Sequence, residues 1–346
     1  MSTKPSQKYL VTGGAGFIGC NLVDRLLSGG QQVTIYDNLS RRGVRSNLEW
    51  LAQTHGAGRF ELVQADVRDA EAIAQAARGK DVIVHLAGQV TVTTSVTDPR
   101  DDFESNALGT FNALEAARAA GSDPIFIYSS TNKVYGGMED VRVEADAARY
   151  RYRDLPLGIP ESYPLDFHSP YGCSKGAGDQ YVRDYARIYG LRSVVFRQSA
   201  IYGTRQFGIE DQGWIAWFII AAVTGKPIAI FGDGKQVRDV LYVDDLLDAY
   251  QAAIDHIDVA AGKVYNVGGG PENTLSVWTE FGPMLEGLLG HKIAVTHKDW
   301  RPGDQRICIM DTRKAQRELH WQANVDVQTG VERLFRWVND NGSLFL

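Results

Sequence analysis

The chain has 346 residues, 44% of them apolar and 23% charged, which bounds it to an ordinary globular protein of one large domain or two. A net charge of −6 without a basic block argues against a nucleic-acid partner, and seven histidines without ligand spacing argue against a metal site. The N-terminal run MSTKPSQKYL has no apolar signal core, and the longest apolar run, Trp214 to Val223, is half a membrane span. Cys20, Cys173 and Cys308 are few, odd in number and far apart, which points to a reducing cytoplasm.

In chain order, Tyr9 to Thr12 reads as a strand, followed by GGAGFIG. Gly13, Gly16 and Gly19 mark a tight turn into a helix that ends at Gly29-Gly30. Such a turn offers backbone N–H groups and a positive helix end to a pyrophosphate. A second strand, Val33 to Tyr36, ends in Asp37. A carboxylate there accepts from an adenine-ribose 2′-OH and repels a 2′-phosphate, selecting NAD over NADP; the alternative is a solvated aspartate beside a glycine-rich turn. Phe60 to Gln64 is a strand leading to Asp66-Val67, where Asp66 either faces a ligand or caps the next helix. Val82 to Leu86 is a strand ending in Ala87-Gly88-Gln89, and His85 within it reads as a core histidine. Phe103 to Ala120 reads as a helix, and Ile125 to Ser130 as a strand running into SSTNKVYG.

Repeated β–α units with apolar strands mean a parallel sheet covered on both faces, a Rossmann-type doubly wound α/β fold. Ligands in such sheets lie beyond the carboxyl ends of the strands. That makes Asp37, Asp66, Gly88 and Ser129 to Lys133 candidates. The hydroxyls of Ser129, Ser130 and Thr131 either meet a substrate hydroxyl or satisfy their own backbone.

Tyr171 and Lys175 stand four apart in HSPYGCSKGAGDQYVRDYARIYG, His168 to Gly190. Ser169 is a good N-cap, Pro170 suits a first turn, and Tyr181, Val182, Tyr185 and Ile188 keep helical period up to Gly190. Residues four apart share a helix face. An ammonium beside a phenol favours the phenolate, lowers its pKa from about 10 and makes it a general base. Taken alone, the pair fits a surface Tyr and Lys at helical spacing better.

Past Gly203 the pattern changes. Trp214 to Thr224 is an apolar helix ending at Gly225, Ile228 to Phe231 and Val237 to Leu241 are short strands, and Lys263 to Val267 returns to the main sheet. Two interleaved lobes follow: 1–200 with 240–268 as the dinucleotide domain, and 201–239 with 269–346 as a smaller α/β substrate lobe. Arg205, Arg238 and Arg301 suit bidentate phosphate contact, though each alone is more often a surface residue. The helices Asp101–Ala120 and Pro170–Tyr189 offer long faces to a symmetry mate.

The glycine fingerprint, Asp37, the hydroxyl-rich strand end and Tyr171-Lys175 together resemble the extended short-chain dehydrogenase/reductase superfamily. Its members are mostly epimerases, dehydratases and reductases of nucleotide sugars. The resemblance covers nearly the whole chain, including FGDGKQVRDVLYVDDLLDAY and RPGDQRICIMDTRKAQREL. SSTNKVYG, LDFHSPYGCSKGAGDQYVRDYARIYG and RQFGIEDQGW are similar to a narrower branch, epimerases that use bound NAD to invert C2 of a CDP-linked deoxyhexose. The resemblance implies Tyr171 as catalytic base, Lys175 as its partner and nicotinamide-ribose ligand, and Thr131 as third member. It implies dinucleotide contacts at Gly13, Gly16, Gly19, Asp37, Asp66, Val67, Leu86, Ala87, Gly88 and Asn106, with the adjoining Phe17, Ile18 and Asn38. Arg238 and Arg301 match nucleotide-sugar contacts; Asn132 and Arg205 join them as candidates. A homodimer or homotetramer is implied.

Two departures narrow the expectation. Related 4,6-dehydratases carry an Asp-Glu pair after the threonine, whereas this chain has Asn132-Lys133, so the acid and base for eliminating water are missing. Many relatives read Arg-x-x-Asn-Val-Tyr-Gly after the next strand; here RQSAIYG, Arg197 to Gly203, puts Ala200 in the asparagine's place. The rivals to C2 epimerisation are a 4-epimerase or net dehydrogenase, and a catalytically silent NAD-binding regulator. The intact Tyr171, Lys175 and Thr131 set favours an enzyme.

Overall fold

The computed structural model describes residues 6–301 and 304–346. Residues 1–5, which open the run without a signal core, and Pro302-Gly303 of the RPGDQ run lie outside the described residues.

β1 (Lys8–Thr12), α1 (Phe17–Ser28), β2 (Gln32–Asp37), α2 (Val44–His55), β3 (Phe60–Gln64), α3 (Ala70–Ala77) and β4 (Val82–His85) alternate as the apolar spacing dictates. Two short helices follow, α4 (Val92–Thr97) and α5 (Pro99–Phe103), then α6 (Gly109–Arg118), β5 (Ile125–Thr131), α7 (Ser169–Tyr189) and β8 (Arg192–Gln198). β12 (Val264–Val267) completes a seven-stranded sheet in the order β12-β8-β5-β4-β1-β2-β3. β3, β2, β1, β4 and β5 pair in parallel. The order reverses between β1 and β4, and such a reversal opens a crevice at the carboxyl ends of those strands. Leu10, Ile83, Phe126 and Tyr128 of the sheet pack with Ile73, Ala113, Leu114, Val182 and Tyr185 of α3, α6 and α7.

Between β5 and α7 lies a hairpin of β6 (Val143–Ala145) and β7 (Tyr150–Tyr152). β9 (Ala200–Tyr202), α8 (Trp214–Val223), β10 (Ile228–Phe231), β11 (Val237–Tyr242), α9 (Val243–Asp255), β13 (Thr274–Ser276), β14 (Val295–Lys298) and β15 (Ile307–Cys308) follow. β11 pairs with β9, β13 and β15, and β10 pairs with β14.

The chain divides into two compact units: Met1–Ser130, Pro170–Phe196 and Tyr250–Val264 in one, Thr131–Ser169, Arg197–Ala249 and Tyr265–Leu346 in the other. The stretches 131–169, 197–200, 240–249 and 265–268, expected with the dinucleotide domain, fall in the second unit. For 131–169 the reason is packing: Val134, Tyr135, Met138, Val141 and Ile159 share one apolar cluster with Cys308 and Met310.

Three local expectations change. The helix expected over Phe103–Ala120 is interrupted by a π-helical turn, Glu104–Leu108, and ends at Arg118. That wide turn carries Asn106 into the interior, where it is 1% exposed, and the Thr110 hydroxyl donates to its carbonyl at 2.6 Å. Asp66 does not cap α3; Asp69 does, accepting from the N–H groups of Glu71 and Ala72. Ser169 is the first residue of α7, with φ 63°, and its hydroxyl donates to the His168 carbonyl.

Candidate active site

Two strand ends meet at the reversal of the sheet. The Thr12 hydroxyl, at the end of β1, accepts from the backbone N–H groups of Leu86 and Ala87 at 3.1 and 3.2 Å. Its own proton then goes to His85 Nδ1, 2.8 Å away. That assignment leaves the proton of the neutral ring on Nε2, which donates to Thr110 Oγ1 at 3.2 Å. Burial pushes the His85 pKa down to about 3, with the Lys175 charge adding to it. His85 is therefore a neutral core histidine that ties β1, β4 and α6 together, as the sequence suggests.

This arrangement leaves a backbone cradle. Gly13 has φ +67°, and a Cβ on it would stand 2.9 Å from Ala87 N. Gly16 N donates to Gly13 O at 3.0 Å, closing the turn just before α1. Around Gly16 the only neighbour a Cβ would meet is that same oxygen, so its outer side is open. Phe17 and Ile18 begin α1, whose N-terminus supplies positive partial charge. Asn106 Oδ1 lies against Gly88, leaving no room for a side chain there, and it is buried without a hydrogen-bond partner. Its amide nitrogen is committed to Asp102 Oδ1 at 3.1 Å and Ser174 Oγ at 3.2 Å. An orphaned buried acceptor beside a bare backbone is what a ligand donor would satisfy.

Asp37 ends β2 and is 7% exposed. It accepts from Ala15 N at 3.1 Å and Leu39 N at 2.8 Å. Burial raises its pKa, opposed by those two N–H groups and by Arg41. Asp66 is bound by the Arg68 guanidinium and by Asn38 Nδ2, both at 2.8 Å, and the Arg68 bonds lead in lowering its pKa to about 2. Val67 is buried against Gly109. This set fits a dinucleotide: open turn, buried carboxylate, apolar wall and orphaned amide oxygen.

Tyr171 and Lys175 stand on the first turns of α7, Tyr171 half-buried and Lys175 7% exposed. Lys175 Nζ sits 4.4 Å from the centre of the Tyr128 ring and makes no hydrogen bond with the described residues. Burial lowers its pKa to about 8, while the charges of Asp102 and Asp179 hold it up. Both carboxylates are fully buried. Asp102 accepts from Ser174 Oγ at 2.5 Å, and Asp179 accepts from Ser130 Oγ at 2.9 Å, fixing the end of β5 to α7. Arg41 adds a second positive charge that interacts with Tyr171. Sequence reasoning missed Asp102, Ser174, Asp179 and Arg41; the one legible signal was Asp102 standing four residues before Asn106.

In the second unit, Thr131 accepts from Lys133 N and donates to Asn132 Oδ1, each at 3.2 Å. Ser129 and Ser130 precede it on β5, with Ser130 used on Asp179. Arg238 on β11 pairs with Asp304 at 2.7 Å. Arg301 pairs with Asp211 at 3.1 Å and lies 3.8 Å over the Phe231 ring. Arg205 has φ 66° and stacks 5.6 Å over Trp337.

Residues 9–268 match the NAD dependent epimerase/dehydratase family. The chain is 44% identical over 339 residues to the CDP-paratose 2-epimerase of Salmonella typhi, covering 96% of this chain and 99% of that one. It is similar in structure to the UDP-glucose 4-epimerase of Thermotoga maritima solved with UDP-glucose: TM-score 0.82, 30% identity, 96% and 99% of the two chains covered. It is also similar to DesIV, the dTDP-glucose 4,6-dehydratase of Streptomyces venezuelae solved with NAD, with TM-score 0.81, 30% identity and coverage of 97% and 98%. A match across most of the chain, on a fold whose β1–β4 crevice is lined as a dinucleotide needs, leads to one conclusion: the chain belongs to the NAD-dependent epimerase/dehydratase family of nucleotide-sugar enzymes.

Proposed function

We propose that the protein inverts C2 of a nucleotide-linked sugar, a CDP-linked deoxyhexose of the paratose–tyvelose type. The observation that carries this reading is the 44% identity over nearly the full length of both chains with a CDP-paratose 2-epimerase. The glycine turn from Gly13 to Gly19 holds the pyrophosphate of NAD, Asp37 with Asn38 the adenine ribose, Asp66 and Val67 the adenine side, and Leu86 to Gly88 with Asn106 the nicotinamide side. When bound, NAD supplies an acceptor for the C2 hydride and, once the sugar has turned over, its donor.

Tyr171 takes the proton of the C2 hydroxyl and later returns it to the same oxygen. Lys175, with a pKa of about 8, keeps most of its charge at neutral pH, and that charge favours the Tyr171 phenolate. Arg41 acts in the same direction. The Thr131 hydroxyl accepts from Lys133 N and gives its proton to Asn132 Oδ1 at 3.2 Å, a long bond it can exchange for one to the developing carbonyl oxygen. Arg238 and Arg301 hold the nucleotide, and Arg205 and Asn132 are further substrate contacts in this reading.

Cys20, Cys173 and Cys308 form no disulfide among the described residues, which suits a reducing cytoplasm, and no helix among those residues is long and apolar enough to cross a membrane. Exposed Phe111, Tyr181, Ile188 and Tyr189 on α6 and α7 form the face proposed for a homodimer or homotetramer. The test is a panel of nucleotide sugars, CDP-paratose included, with product configuration read by NMR. Inversion at C2 alone is expected; inversion at C4, or stoichiometric NADH, would move the protein to one of the rival activities.

A further inference from the structure

Lys133 stands two residues beyond Thr131, in the 3-10 turn Asn132–Tyr135. A lysine ammonium has three donors. Among the described residues Lys133 Nζ makes one hydrogen bond, 3.4 Å to Gln305 Oε1. The carboxylate whose charge offsets it is Asp304, and Asp304 is already bonded to Arg238 at 2.7 Å. Asn132 Nδ2 and the Cys308 thiol, 2.8 Å apart, lie beside the cluster and bring no negative charge. Two cations thus share one carboxylate in a partly buried place. Burial and Arg238 both lower the Lys133 pKa, so the cluster lacks an anion.

We propose that Lys133 is a specificity-determining residue that binds the β-phosphate of the nucleotide sugar and thereby presents C2 to Thr131. This rests on the C2 reading. C2 is three bonds from the β-phosphorus, through C1 and the glycosidic oxygen; C4 is five bonds away, across the ring. An enzyme that works at C2 must bring the β-phosphate close to its catalytic hydroxyl, and a cation in the same turn as Thr131 meets that need. Asn132-Lys133 thereby acquires a use where an acid–base pair would serve dehydration.

The experiment measures binding of nucleoside diphosphate and monophosphate to NAD-loaded enzyme by calorimetry, using CDP with CMP and UDP with UMP and following the tighter pair. Lys133→Met is expected to weaken the diphosphate about tenfold or more and leave the monophosphate within about twofold. Lys133→Arg, which keeps the charge, is expected to recover most of the difference. Equal losses for both nucleotides, or no loss for the diphosphate, would overturn the assignment. Should Lys133→Met fail to fold, Lys133→Gln replaces it in the same measurement with the same expectation. A diphosphate-to-monophosphate affinity ratio equal to that of the wild type would count against Lys133. Product inverted at C4 would defeat the C2 reading separately, leaving a phosphate contact without its link to C2.

Discussion

Lys175→Met is expected to stabilise the NAD-free protein while destroying turnover. The wild-type ammonium is 7% exposed and has the Tyr128 ring but no hydrogen-bond acceptor among the described residues. Its pKa falls from 10.5 to about 8, and at about 1.36 kcal/mol per tenfold that is a penalty of about 3 kcal/mol. The attraction of Asp102 and Asp179 is already inside this net figure. Below pH 8 the folded and unfolded chains both carry the proton, so the whole penalty is present. Between pH 8 and 10.5 the folded chain releases its proton first, and the penalty fades as pH rises. Methionine is of similar length and carries no charge. Urea unfolding of the NAD-free proteins at pH 7 should therefore find the variant more stable by about 2–3 kcal/mol, and the gap should fall below about 1 kcal/mol at pH 10. A variant less stable than wild type at pH 7 would refute this view of Lys175 as a charge kept for function against stability.

Tyr171→Phe should fold, bind NAD and lose turnover, checked on purified protein by cofactor content and by NMR of the sugar; near-wild-type turnover would remove Tyr171 as the base. The dinucleotide released on denaturing the protein should be NAD by mass, because buried Asp37 repels a 2′-phosphate; NADP as the main species would refute that role.

The first half of the fold was legible because glycine turns and apolar runs are local signals. β3 fell on the residues expected for it, Phe60 to Gln64, and β1, β2 and α1 within a residue or so. The π turn at Glu104–Leu108 was not legible: its residues are ordinary helix formers, and only burial of Asn106 beneath Gly88 shows why the helix widens there. Asp66 and Asp69 differ by three positions and share one chemistry, so which of them caps α3 is decided by geometry alone. Tyr171 and Lys175 were readable as an i, i+4 pair. The carboxylates that hold the lysine's charge were not, since Asp102 reaches α7 across 72 positions of chain. Lys133 was legible only as a missing acid; Gln305, its partner, lies 172 positions away.

The central claim is that C2 is inverted by removing and returning hydride rather than by exchanging a carbon-bound proton. Proton exchange needs a neighbouring carbonyl and acid–base groups on both faces of the sugar. The chain offers one convincing base, Tyr171, and has Asn132-Lys133 where an acidic pair would stand. Substrate carrying deuterium at C2 should give product with that deuterium still at C2, and turnover in heavy water should leave the carbon unlabelled. Solvent deuterium entering C2 at the rate of epimerisation would contradict the account and direct attention to His168 and Cys173, on either side of Tyr171 in the chain.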